Sequence, residues 1–123
     1  GLERICMFTQ QKKNVYDLQW NDDGIQYREV FHQSEKEFSA YNFEYANTDN
    51  LFKIFDMLEL EAKALIEKKL SLPAYDQCLK ASHLFNILDA RGVISVAQRA
   101  EYIGRIRDIT KGVAEVWLNT QIK

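Results

Sequence analysis

The feature that most constrains the fold is a recurrence of apolar residues at steps of three and four, in four stretches from Arg28 to the C-terminus. This spacing places apolar side chains on one side of a helix. Because short polar connections separate the stretches, the sequence predicts a mainly α fold, an antiparallel bundle of about four helices. The apolar positions are Val30, Phe31, Phe38, Tyr41 and Tyr45; Leu51, Ile54, Phe55, Leu58, Ala62 and Leu65; Tyr75, Cys78, Leu79, Phe85 and Leu88; and Val96, Ile103, Ile106, Ile109, Val113, Val116 and Trp117.

Local signals mark the ends of these helices. The first long helix is expected over residues 28–46, and residues 47–49 supply capping side chains for the second. Pro73 suits the first turn of the third helix. Ser95 and Gln98 have the spacing of a capping box, so the fourth helix is expected to begin there.

The segment before the first long helix has a different pattern. Residues 2–10 are expected to start a helix that a polar run then interrupts. The sequence Asn-Asp-Asp-Gly at 21–24 is the strongest turn signal in the chain. We therefore expect a short irregular or hairpin segment near residues 15–27.

Composition excludes several classes of function. The 123-residue chain has a formal charge of −2 and a pI of about 5.7, which disfavours a general nucleic-acid or membrane-surface binder. Cys6 and Cys78 lie in apolar helical patterns and are interpreted as small buried hydrophobes, and two histidines make a zinc or other metal site unexpected. With no run of 18 apolar residues, no membrane partner is predicted and the expected location is cytoplasmic.

The helix predicted over residues 28–46 has a second, mixed face. His32, Glu35, Asn42 and Phe43 project together, opposite the apolar stripe. Phe43 in this position predicts contact with another subunit or a catalytic core, and the alternative is a single exposed aromatic on a solvated face. His32 is interpreted as a structural residue rather than a catalytic base.

Seven short segments, and Trp20, stand out by their order and spacing along the chain. They are Gly1-Leu2-Glu3-Arg4, Val15-Tyr16-Asp17-Leu18, Phe31-His32-Gln33, Tyr41-Asn42-Phe43-Glu44-Tyr45-Ala46, Leu88-Asp89-Ala90-Arg91, Ile94-Ser95-Val96 and Arg105-Ile106-Arg107. Together they resemble the C-terminal portion of the alpha subunit of bacterial heterotetrameric glycyl-tRNA synthetase, a class II aminoacyl-tRNA synthetase. The chain's first four residues resemble the end of the class II motif 3, and the resemblance runs through the whole chain.

The resemblance implies an enzyme that forms glycyl-adenylate from glycine and ATP, with Mg²⁺, and then charges tRNA(Gly). It implies that Arg4 packs over the ATP adenine and that Glu3 lies near ATP. Residues 1–27 would be the tail of the class II catalytic domain, with motifs 1 and 2 upstream, and residues 28–123 a C-terminal helical domain. No complete catalytic site, and no tight ATP or Mg²⁺ binding, is expected in this segment, whose implied partners are the catalytic core, a second alpha subunit, the beta subunit and tRNA(Gly).

Other hypotheses remain open at this point. Arg4 would also suit a helix start at which it pairs with a local acid. The whole chain would also suit a non-enzymatic helical interaction module. Arg105 and its neighbours in the last helix are interpreted as a solvated, mixed-charge face, whereas Arg99 is expected to pair with an acid such as Asp89.

Overall fold

The structure is a computed structural model that describes residues 1–122, and it is mainly helical, as predicted. The chain divides into two compact units, the first spanning Gly1–Glu44 and the second beginning at Tyr45. This division reflects packing density and differs from the boundary predicted between residues 27 and 28. The assignment of residues 1–27 to a catalytic domain stays a prediction.

The first unit contains two helices, α1 (Leu2–Thr9) and α2 (Tyr27–Ala40), with a 3₁₀ turn at Val15–Asp17 between them. Of residues 1–44, only Leu18 is buried. The first unit therefore has only a small core around Leu18. Its aromatic side chains contact each other and do not enclose a deep interior.

A minimal hairpin joins the 3₁₀ turn to α2, which confirms the segment predicted near residues 15–27. The Trp20 N–H donates to the Ile25 carbonyl at 2.7 Å, and the Tyr27 N–H donates to the Leu18 carbonyl at 2.8 Å. Gly24 has a φ of +86°, a conformation that glycine adopts without a steric penalty. The turn signal at 21–24 therefore marks a real reversal of the chain.

The second unit is a bundle of three helices: α3 (Thr48–Glu67), α4 (Ser71–Ala90) and α5 (Val96–Gln121). Residues 1–122 contain five α-helices rather than about four, and α2 belongs to the first unit rather than to this bundle. No residue of α2 is buried, and its Tyr27 and Phe31 rings contact Trp20 of the hairpin instead. Within the first unit, aromatic contacts therefore pack α2 against the hairpin.

The helix ends follow the predicted signals. The Asn47 side chain accepts from the Asn50 N–H at 3.0 Å, and Ser95 with Gln98 forms a reciprocal capping box. Pro73 lies in the first turn of α4. These caps satisfy backbone N–H groups that a helix start would leave unpaired.

Small side chains let the three helices approach closely. Ala62, Ala74 and Ala81 are fully buried, one on α3 and two on α4. Cys78 is buried as predicted, whereas Cys6 is only partly buried, and both thiols are free. Within residues 1–122, none of the helices is both long and apolar enough to pass through a membrane.

Lysine occupies a left-handed position at the end of α3, and its replacement by glycine is expected to stabilise the fold. Lys69 has a φ of +61°, and its N–H donates to the Ile66 carbonyl while the Leu70 N–H donates to the Leu65 carbonyl, the two bonds of a Schellman motif. Relief of a strain of about 1–2 kcal/mol outweighs the unfolded-state entropy of glycine, about 0.5–1 kcal/mol. Lys69→Gly should therefore raise the free energy of unfolding by about 0.5–1 kcal/mol in a urea titration.

The neighbouring lysine provides a matched control. Lys68 has a φ of −82°, where glycine relieves no strain. Lys68→Gly should lower the free energy of unfolding by about 0.5–1 kcal/mol. Equal effects of the two substitutions would contradict the assignment of strain to residue 69.

Candidate functional site

The first turn of α1 carries the two residues predicted to lie near ATP. Both Glu3 and Arg4 are exposed. The Tyr27 hydroxyl donates to Glu3 Oε1 at 3.5 Å, so the carboxylate faces the start of α2. Arg4 makes no hydrogen bond or ion pair with any residue in the range 1–122. The structure therefore contradicts the alternative in which Arg4 pairs with a local acid.

A cavity of about 360 Å³ lies beside Glu3, within the first unit. Three aromatic rings, those of Trp20, Tyr27 and Phe31, form much of its wall. Trp20 stands nearly edge-on to Phe31, with ring centroids 5.4 Å apart, and the Tyr27 and Phe31 centroids are 4.8 Å apart. We call this space the aromatic cavity. Nothing in the sequence pattern pointed to it, because its walls come from α1, the hairpin and α2.

The electrostatics of the aromatic cavity disfavour negative charge. Burial, and then the negative charge of Glu3, raise the pKa of the Tyr27 hydroxyl. Both effects disfavour an additional negative charge at this position. Arg4 does not line the cavity.

The four residues predicted as subunit or core contacts differ in their surroundings. The His32 ring meets Tyr16 edge-on at 4.8 Å, and Glu35 lines a shallow hollow that Tyr16 also borders. Phe43 is 60% exposed. The Asn42 Oδ1 atom is buried without a hydrogen-bond partner among residues 1–122. Their role in contacts between subunits stays a prediction.

The helix type changes within the predicted first long helix. The α-helix stops at Ala40, and residues Tyr41–Tyr45 form a π-helical turn instead of continuing as an α-helix to residue 46. A π turn has more residues per turn than an α-helix. A 3.6-residue wheel therefore does not describe the directions of Asn42 and Phe43, which lie within this turn.

The best-formed polar cluster lies in the second unit, and sequence analysis missed it. Arg105 Nε donates to Glu59 Oε2 at 2.8 Å, and Nη2 donates to Asp56 Oδ1 at 2.6 Å. The guanidinium also lies 4.7 Å from the Phe55 ring centroid and 4.8 Å from the Tyr102 centroid. The prediction of a solvated face is wrong for this residue, whose side chain is only 24% exposed.

Charge neutralisation in this cluster stabilises both ionised groups. Hydrogen bonds from Arg105 lower the pKa of the Glu59 carboxyl, and the hydrogen bond to Glu59 raises the pKa of the Arg105 guanidinium. Arg105 lies on α5 and both acids lie on α3, so these contacts join the two helices. The spacing of Asp56 and Glu59 by three residues places both carboxylates on one side of a helix. This spacing does not identify Arg105, which is distant in the sequence, as their partner.

The predicted pairing of Arg99 is confirmed. Arg99 Nη2 lies 3.4 Å from Asp89 Oδ2. The Arg99 side chain is 57% exposed, so burial does not enforce the pair as the sequence argument assumed. An ion pair this accessible contributes little to stability.

The comparison with known protein families accounts for the chain as a whole. The family model described as "Glycyl-tRNA synthetase alpha subunit" matches residues 1–122 of the 123-residue chain. The match includes both compact units and the exposed Glu3 and Arg4. The chain therefore belongs to the glycyl-tRNA synthetase alpha subunit family.

Proposed function

We propose that this chain is the C-terminal part of a class II glycine-tRNA ligase alpha subunit that forms glycyl-adenylate from glycine and ATP and then charges tRNA(Gly). The family match over residues 1–122 carries this proposal. An alpha subunit implies partner subunits, and we propose a heterotetramer with a second alpha subunit and the beta subunit, acting in translation in the cytoplasm.

Arg4 fits one part of an ATP site. Its guanidinium is exposed and has no partner within residues 1–122, so it is free to pack over a planar adenine. ATP supplies the anhydride whose cleavage activates the glycine carboxylate. Glu3 lies on the same helical turn and would line the ATP site next to Arg4.

The fit to Mg²⁺ is poorer. No group of three His, Cys, Asp or Glu side chains able to hold a metal ion occurs in the described part of the chain. Magnesium coordination is therefore not assigned to any residue here. In this proposal the chain carries one wall of the ATP site and is not catalytic by itself.

The rest of the chain serves in this proposal as a platform for subunit contact. His32, Glu35, Asn42 and Phe43 are the proposed contact residues on α2 and the π turn. Support comes from the 60% exposure of Phe43, a large apolar side chain.

Substitution of Arg4 provides the test. In glycine-dependent exchange of pyrophosphate into ATP by the intact alpha subunit with its beta subunit, Arg4→Ala should lower the rate at least about tenfold, because a desolvated cation–π contact is lost. Arg4→Lys should also be impaired, since lysine lacks the planar group.

Arg107→Ala is the matched control, because Arg107 is exposed and unpaired within residues 1–122. It should exchange pyrophosphate at the wild-type rate. Wild-type exchange by a folded Arg4→Ala subunit would make Arg4 structural. No exchange by folded wild-type subunits together would overturn the proposed function.

The alternative is a non-enzymatic helical interaction module. It is favoured by the large apolar side chains left exposed, of which Phe38 is 64%, Phe43 60% and Trp117 46% exposed. Both proposals predict partner binding, but only the synthetase predicts glycine-dependent exchange. That assay therefore separates them.

A further inference from the structure

The aromatic cavity has the charge and surface of a site for an organic cation. Glu3 is the one charged residue among those lining it in the described chain, and no lysine or arginine contributes to its wall. The remaining surface is mostly hydrocarbon and aromatic ring, with Leu18 buried at 3% exposure. A cation entering this space gains a negative partner in the cavity wall.

The three rings provide the second component of such a site. Trp20 is 53% and Phe31 38% exposed, and both line the same cavity as Glu3. The face of an aromatic ring attracts cations, and tryptophan does so most strongly. Clusters of aromatic rings with a nearby carboxylate are suited to alkylated ammonium groups, which are too weakly hydrated to resist burial.

The dimensions restrict the ligand. A volume of about 360 Å³ is at the lower end of the range for small-molecule sites. Such a space accommodates a compact ammonium head with a short substituent. It does not accommodate a folded peptide segment.

We propose that the aromatic cavity binds a small organic ammonium molecule, with the Glu3 carboxylate balancing its charge and the rings of Trp20, Tyr27 and Phe31 contacting its alkyl groups. The site requires no covalent step. It shares Glu3 with the proposed ATP site but does not use Arg4, which does not line the cavity.

A pair of isosteric probes tests the role of charge. Choline and 3,3-dimethylbutan-1-ol have nearly the same shape, and only choline is cationic. Titrated into the ¹⁵N-labelled chain up to millimolar concentrations, choline should shift the Trp20 indole N–H signal saturably and bind about tenfold or more tightly than the alcohol. Trp117 lies in the second unit, so its indole signal is an internal reference and should stay unchanged.

Variants separate a specific site from a general charge effect. Glu3→Gln should remove the preference for choline over the alcohol, and Glu3→Asp, which keeps the charge, should retain it. Glu37→Gln removes one negative charge from the same unit without touching the cavity, and it should bind choline as wild type does.

Equal affinities of wild type for choline and the alcohol, or no saturable Trp20 shift with choline, would overturn the proposal. So would unchanged choline preference in a folded Glu3→Gln chain. The comparison of choline with the alcohol in wild type tests the proposal even if Glu3→Gln disturbs α1. Choline binding is measured without ATP or tRNA, and the pyrophosphate-exchange test substitutes Arg4 rather than Glu3, so failure of one proposal does not imply failure of the other.

Discussion

Arg105→Ala is expected to lower the free energy of unfolding by about 3 kcal/mol. The substitution leaves the Glu59 carboxylate, at a residue only 8% exposed, without its main hydrogen-bond donor. Loss of one partner from a buried ion pair costs about 3–5 kcal/mol, and the 24% exposure of the Arg105 side chain places the value at the lower end. The contacts of the guanidinium with the Phe55 and Tyr102 rings are lost as well.

Urea unfolding at neutral pH measures this loss. A Trp20→Phe background leaves Trp117, on α5, as the only tryptophan and restricts the fluorescence signal to the second unit. Arg107→Ala is the control, because it removes an exposed arginine from the same helix, and it should change stability by less than about 0.5 kcal/mol. Equal effects of the two substitutions would show that the Glu59 contact contributes nothing.

The same cluster predicts how stability depends on pH. Arg105 lowers the pKa of Glu59 in the folded state, so the unfolded state takes up this proton first as the pH falls. The contribution of Glu59 is therefore complete above its unfolded-state pKa, about 4.3, and is lost as the pH falls through the lower folded-state value. Wild type should be more stable than Glu59→Gln at neutral pH, and the difference should shrink as the pH falls below about 4. A difference that is constant over this range would contradict the assignment.

Leu88→Ala is expected to lower the free energy of unfolding by about 3 kcal/mol. Leu88 is fully buried at 0% exposure, in a cluster that includes Leu51 of α3 and the neighbouring Ile87. Truncation loses the transfer free energy of the side chain and leaves a cavity, which together cost about 2–5 kcal/mol in well-packed cores. Helix propensity offsets only a small part of this loss, because alanine is only slightly more favourable than leucine in a helix.

Leu79→Ala offers the same chemical change on the same helix. Leu79 is 51% exposed, so this variant should lose less than about 1 kcal/mol. The two variants are compared by thermal or urea unfolding, followed by circular dichroism. A loss below 1 kcal/mol for Leu88→Ala would mean that the core relaxes to fill the space.

Local signals in the sequence predicted the three bundle helices and their caps. Asn47, Pro73 and Ser95 act on backbone groups within three or four residues of themselves, so their effect can be recognised without knowledge of the fold. The turn at 21–24 is local for the same reason.

Contacts between distant residues could not be predicted in the same way. Arg105 pairs with acids 46 and 49 residues away, and a wheel drawn for α5 alone cannot contain them. The π turn at Tyr41–Tyr45 likewise changes the helical geometry, and no residue type in this stretch predicts it.

By itself, therefore, the sequence determined the family, the helical class, the capped ends of α3 and α5 and the hairpin before α2. Only the tertiary structure decided that α2 lies outside the three-helix bundle, that Arg105 is enclosed by Glu59, Asp56 and two rings, and that Glu3 borders an aromatic cavity. The physical reason is that periodicity shows which side of a helix is apolar, but not which surface covers it. That choice depends on packing and charge pairing between residues far apart in the chain.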